Sequence, residues 1–160
     1  YEKGKANQSR CSSNSSTKPQ SSQNNKNPAG QQLMARKKAI QTDRAPKAIG
    51  PYSQAIKFDS LVFLSGQIPL VPETMEVIDG GIAEQAHPVF INLKTVAEES
   101  GGSLRDALKI NIFLTDLTNF TIVNEIMTQY FHEPFPARAT IEVSALPKSV
   151  LIEIDAVMAL

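Results

Sequence analysis

The sequence predicts an α+β fold, one mainly antiparallel β-sheet with two helices on one face, in the element order ββαβαββ. Three observations carry this. Short β-type runs come in close pairs near both ends of the apolar part of the chain, at 55–58 with 61–64 and at 136–143 with 150–160. Between the pairs, apolar residues recur twice at helical spacing, over 82–97 and from about 120 to 131, on either side of an alternating stretch at 108–115. A chain of 160 residues with 41% hydrophobic composition suits one domain with one core.

Residues 1–33 stand apart from that domain, which is expected over 34–160. They are Ser, Asn, Gln and Lys with almost no apolar residue, too little to offset the entropy of ordering, and a disordered polar leader or extension is expected. Five basic residues (Lys3, Lys5, Arg10, Lys18, Lys26) face Glu2 alone there, which leaves the rest with 11 basic and 15 acidic residues, a net of −4. An acidic body argues against a nucleic-acid surface. The leader's Ser and Lys bias is faintly that of a transit peptide, without amphipathic periodicity, so a cytoplasmic protein is expected, with an organelle matrix as the alternative. No apolar run approaches the ~20 residues of a spanning helix. Cys11 is the sole cysteine, and His87 and His132 are the only histidines, so an intrachain disulfide is ruled out and no zinc-ligand spacing exists.

In chain order, Ile49-Gly50-Pro51-Tyr52 reads as a turn-like entry. The runs 55–58 and 61–64 are separated by Asp59-Ser60, a hairpin pattern. Ser65 and Gly66 end the second run, where a glycine suits either a close backbone approach or an ordinary bulge. Ile82, Gln85, Ala86, Val89, Phe90, Leu93, Val96 and Ala97 define the apolar face of the first helix, and Gly101-Gly102 stop it. Pro88 lies inside this pattern and predicts a late start or a bend in the first turns, with His87 on the surface. Leu108, Ile110, Ile112 and Leu114 alternate with more polar neighbours, as in a strand. Asp116 to Asn119 supply a turn and helix cap before the second helix. The sheet face away from the helices is expected to carry Ile56, Phe63 and Ile112 or their neighbours, and an uncovered apolar face predicts association into a closed dimer or trimer.

Chemistry concentrates in the last two runs. Side chains alternate along a strand, so Arg138, Thr140 and Glu142 share one face, and Glu153 and Asp155 share a face opposite Ile152 and Ile154. If these runs are neighbours, a guanidinium and a carboxylate meet near the rim of the sheet. Arg138 at the mouth of a strand suits a bidentate clamp on a substrate carboxylate, and both residues also fit a solvated polar face.

The sequence Pro136-Ala137-Arg138-Ala139-Thr140-Ile141-Glu142-Val143, with Leu146-Pro147-Lys148 and Leu151-Ile152-Glu153-Ile154, resembles the C-terminal signature of the RidA/YjgF family of reactive-intermediate deaminases, also labelled L-PSP endoribonucleases. Gly50-Pro51-Tyr52-Ser53-Gln54-Ala55, Leu64-Ser65-Gly66-Gln67-Ile68-Pro69, Asn92-Leu93-Lys94 and Val123-Asn124 resemble its other motifs, in order. The resemblance implies a chorismate-mutase-like sandwich, a homotrimer with clefts between subunits, and no cofactor or metal. It implies hydrolysis of 2-imino and enamine acids, such as 2-aminoacrylate, 2-iminopropanoate and 2-iminobutanoate, to 2-keto acids and ammonia. By motif, Arg138 clamps the substrate carboxylate and Glu153 positions or activates water. Tyr52, Ser65, Gly66, Asn124 and Thr140 then line the cleft. Many relatives carry Cys two positions after the arginine, where this chain has Thr140. Two other functions stand beside this one: an RNA-acting translation inhibitor or endoribonuclease, and a trimeric ligand-binding or chaperone-like module without turnover.

Overall fold

A computed structural model describes residues 36–160, and the expected leader at 1–33 lies outside them. The described part opens with a strand the sequence did not predict, β1 (Lys37–Ile40), in which only Ile40 is buried. Three exposed residues in four leave no alternation to read, and β1 forms because β2 (Ala55–Phe58) offers it an antiparallel edge. Asp59 adopts a left-handed backbone (φ 53°) and turns the chain from β2 into β3 (Leu61–Gln67). β3 continues through Ser65 and Gly66 instead of ending there, with its register to the neighbouring strand slipping between Leu64 and Gln67.

Helix α1 runs from Ile82 through Pro88 to Glu99, so the proline sits inside the helix and does not delay its start. Its end follows from the paired glycines. Gly101 takes φ 97°, its N–H donates to Glu98 O at 3.0 Å, and the Gly102 N–H donates to Ala97 O at 3.2 Å, so two terminal carbonyls are satisfied. His87 is half-buried, with Nδ1 2.9 Å from the Tyr130 hydroxyl, where a surface position was expected. Strand β4 (Ala107–Leu114) follows, then α2 (Phe120–Met127), β5 (Ala137–Glu142) and β6 (Ile152–Ala159). α2 is four residues shorter than the expected limit at Phe131, and Gln129 to Phe131 close as turns onto Ile126 and Met127 carbonyls.

Among the described residues the strands make one sheet, in the order β1-β2-β3-β6-β4-β5. Every neighbouring pair is antiparallel except β4 and β5. One face packs on the helices: Val62, Leu64, Ile110, Ile112, Leu114, Ile152, Ile154 and Met158 meet Val89, Phe90, Leu93, Val96 and Val123. Burial of each such side chain contributes about 1.5–3 kcal/mol. Ile112, expected on the uncovered face, is fully buried here, and Phe113 takes that place with Ile56, Phe63, Ile141 and Val157. Leu108 also leaves the predicted alternation. The register between β4 and β6 slips between Ala107 and Lys109, and Leu108 is turned out, 53% exposed.

The sheet order also answers whether the last two runs adjoin. β5 and β6 are not neighbours, because β4 lies between them.

Candidate functional site

Arg138 stands at the start of the edge strand β5, where the side chain reaches over α2. Its Nη1 donates to Asn124 Oδ1 at 2.5 Å and lies 3.4 Å from Met127 Sδ, while the guanidinium carbon sits 5.3 Å from the Phe120 ring centroid. Asn124 and Met127 are three positions apart on α2 and therefore share a face, which gives the guanidinium two footholds on one helix. The group is held on one edge and presents the other to a cleft of about 360 Å³ lined by Asn124, Met127, Thr128, Phe135, Pro136 and Arg138. Thr140 follows Arg138 on the same face of β5 but lines neither this cleft nor the next, and its Oγ1 is buried with no hydrogen-bond partner among the described residues.

Glu153 occupies a second cleft, of about 340 Å³, with Ile49, Tyr52, Ser65, Gly66, Ile68 and Pro147. Its carboxylate lies directly over Gly66, where an added Cβ would come 2.9 Å from Glu153 Cδ and closer still to Oε1. With the carboxylate in this place, it is this close approach, and not an unusual backbone angle, that favours the glycine. Ser65 Oγ donates to Ser53 O at 2.6 Å and ties the β3 slip to the Tyr52 loop, while the Ile49 N–H reaches the Tyr52 hydroxyl at 3.4 Å. Glu153 is half-buried, and desolvation first, then the negative charge of Asp155, pushes its carboxyl above the ordinary value of 4.5. Asp155 is itself held by Asn111, whose Nδ2 donates to Oδ1 at 2.6 Å.

The seven residues singled out from the sequence therefore divide. Arg138 and Asn124 meet in one cleft, Glu153, Gly66, Ser65 and Tyr52 in the other, and Thr140 lies beside the first. Arg138 is in register with Ile110, on the helix-covered face, whereas Glu153 is in register with Phe113, on the open face. Guanidinium and carboxylate do not meet within one protomer. The cleft walls were not singled out in the sequence: Phe120, Met127, Thr128 and Phe135 at the first cleft, and Ile49, Ile68 and Pro147 at the second, carried no candidate role there. Among the described residues no group of three or more His, Cys, Asp or Glu is placed to hold a metal ion, and no helix is long and apolar enough to cross a membrane.

Two helices on one face of a mainly antiparallel sheet define an α+β sandwich, with a cationic cleft and an acidic cleft facing different ways. The chain belongs to the RidA/YjgF family: the family model described as Endoribonuclease L-PSP matches residues 42–160. A RutC family protein of Pyrococcus abyssi is 50% identical over 121 residues, covering 76% of this chain and 95% of that one. The 2-iminobutanoate/2-iminopropanoate deaminase of Dermatophagoides farinae is 42% identical over 125 residues, 78% of this chain and 98% of its own. The crystal structure of RidA from an Antarctic Psychrobacter superposes with a TM-score of 0.75 at 46% identity, covering 77% of this chain and 99% of that one.

Proposed function

We propose that this chain hydrolyses small 2-imino acids, and the enamines in equilibrium with them, to 2-keto acids and ammonia, as a homotrimer. Each site joins the Arg138 cleft of one subunit to the Glu153 cleft of the next. The observation that carries the reading is the division itself: two open clefts on opposite faces of the sheet, each holding one of the groups the reaction needs. The mite relative named as a deaminase supports the choice of substrate.

The chemistry asks little of the protein. An imine carbon next to a carboxylate is already electrophilic, so positioning and one proton carrier suffice. The free edge of the Arg138 guanidinium binds the substrate carboxylate through two parallel hydrogen bonds, and Asn124, Met127 and Phe120 hold it at the required angle. Glu153, made more basic by burial and by Asp155, takes a proton from water as the oxygen adds to the imine carbon. The proton passes to nitrogen. In the tetrahedral carbinolamine Glu153 then takes the hydroxyl proton and delivers it to the amine nitrogen as the C–N bond breaks, releasing ammonia and leaving the 2-keto acid. Thr140 carries a hydroxyl where many relatives carry a thiol, and its Oγ1, buried and without a hydrogen-bond partner among the described residues, lies outside both clefts.

The test is release of 2-ketobutanoate from 2-iminobutanoate generated in situ, with the wild-type chain and Arg138→Ala side by side. Acceleration by wild type alone is expected. Equal rates at the uncatalysed level would leave a binding module without turnover. RNA cleavage, the activity in the family model's description, is the other reading; binding to RNA would weaken steeply with salt, and a small carboxylate's mildly.

A further inference from the structure

α1 carries two amide side chains that the proposed chemistry does not touch. Gln85 is 6% exposed and Asn92 3%, and seven residues apart they project from one face of the helix. Neither is spent on the helix itself. Gln85 Oε1 accepts the Leu151 N–H at 2.8 Å, and its Nε2 donates to Ile78 O at 3.2 Å. Asn92 Nδ2 donates to Leu70 O at 3.0 Å and approaches Ile68 O at 3.5 Å.

One of these residues, Ile68, lines the acidic cleft, and the others are joined to it or to Glu153 along the chain. The segment 68–78 closes on itself through Ile78 N to Pro69 O at 2.8 Å. Leu151 is the last residue before β6 and lies two positions ahead of Glu153. Its N–H is held by Gln85, and its carbonyl accepts the Thr115 N–H at 3.2 Å. A single rigid helix therefore fastens both the wall at Ile68 and the entry to the strand that bears the carboxylate. A buried amide suits this duty because it offers a donor and an acceptor together, and an apolar residue would leave the Leu151 N–H and the Ile78 and Leu70 carbonyls unpaired.

We propose that Gln85 and Asn92 are positioning residues for the proposed deaminase reaction, holding the Glu153 carboxylate and the Ile68 wall in register across the acidic cleft. The inference rests on the deaminase reading. It deepens that reading by tying turnover to a helix face outside both clefts.

The experiment compares wild type, Gln85→Leu, Gln85→Glu and Asn92→Leu by steady-state kinetics on 2-iminobutanoate, by amide hydrogen exchange at Leu151 and Glu153, and by size-exclusion chromatography. Gln85→Leu is expected to lower kcat about tenfold, with KM within about twofold and elution unchanged, since a small misplacement of a reacting group is costly while the carboxylate clamp is untouched. Its Leu151 amide should exchange faster. Gln85→Glu keeps an acceptor for Leu151 and, when protonated, a donor for Ile78, and should recover most of kcat and of the protection. Asn92→Leu should lose kcat in the same manner, and it decides the matter if Gln85→Leu fails to assemble. A correctly assembled Gln85→Leu or Asn92→Leu with wild-type kcat overturns the proposal. So does a loss of turnover that Gln85→Glu leaves unrepaired while restoring Leu151 protection. An inactive wild type would instead sink the deaminase reading; the anchoring would then stand on faster exchange at both Leu151 and Glu153 in Gln85→Leu, and fall without it.

Discussion

The Glu153 carboxylate occupies the place a side chain at Gly66 would take, so a residue with a Cβ there would have to displace it. Gly66→Ala should cost about 1–3 kcal/mol of stability through overpacking. Gly66→Ala combined with Glu153→Ala should recover most of that loss, and a double-mutant cycle by chemical denaturation reads the coupling. Glu153 also gives the protein a pH signature. Its carboxyl is raised by desolvation and then by Asp155, so the folded state holds the proton more tightly than the unfolded chain does. The resulting stability is full below the ordinary value of 4.5 and is lost as the pH rises through the elevated one. Thermal unfolding of Glu153→Gln should lack that decline. In the activity profile the acid limb should belong to Glu153, and Asp155→Asn should move it to lower pH by removing the neighbouring charge. Arg138→Lys keeps the charge but loses the planar fork, so kcat/KM should fall about a hundredfold with assembly intact. At this scale the positions of Arg138 and Glu153 on strands were readable in the sequence, from the alternation of the last two runs. The reason for Gly66 was not, because the carboxylate that fills its place comes from a residue 87 positions later.

α1 was legible along its whole length because its signals are local: apolar residues recur with the helical period, and the paired glycines close its end. Pro88 is the one conflict within it. The helix tolerates the missing N–H because Val89, Phe90 and Leu93 beside it are fully buried, and packing outweighs the local preference. Pro88→Ala should therefore raise the unfolding free energy by about 1–2 kcal/mol, with turnover unchanged, as thermal melts and the ketobutanoate assay can check. β1 was illegible for the opposite reason: it has no internal pattern and exists only because β2 presents an unpaired edge. Leu108 and the end of β3 failed for a related one. A single inserted residue shifts the phase of a strand, and nothing in the alternation announces it before the partner strand is known.

Across the whole molecule, the uncovered sheet face leaves Phe63 46% and Ile141 48% exposed, with Ile56, Phe113 and Val157 half-covered beside them. Phe63→Glu should dissociate the proposed trimer on sizing, because a charge would have to be buried at an apolar contact. The division of the site makes a sharper prediction. Arg138→Ala and Glu153→Gln subunits, each inactive alone, should regain activity when unfolded together and reassembled, with about a quarter of the sites pairing an intact arginine with an intact carboxylate. No recovery on mixing would rule out a site shared between subunits. By itself the sequence determined the α+β character, the faces of both helices and the residue types available for chemistry, because these depend on composition and on patterns within a few residues. Only the tertiary structure decided which strands adjoin. Pairing between distant segments inserts β4 between β5 and β6, and that insertion sets Arg138 and Glu153 in different clefts on opposite faces of the sheet.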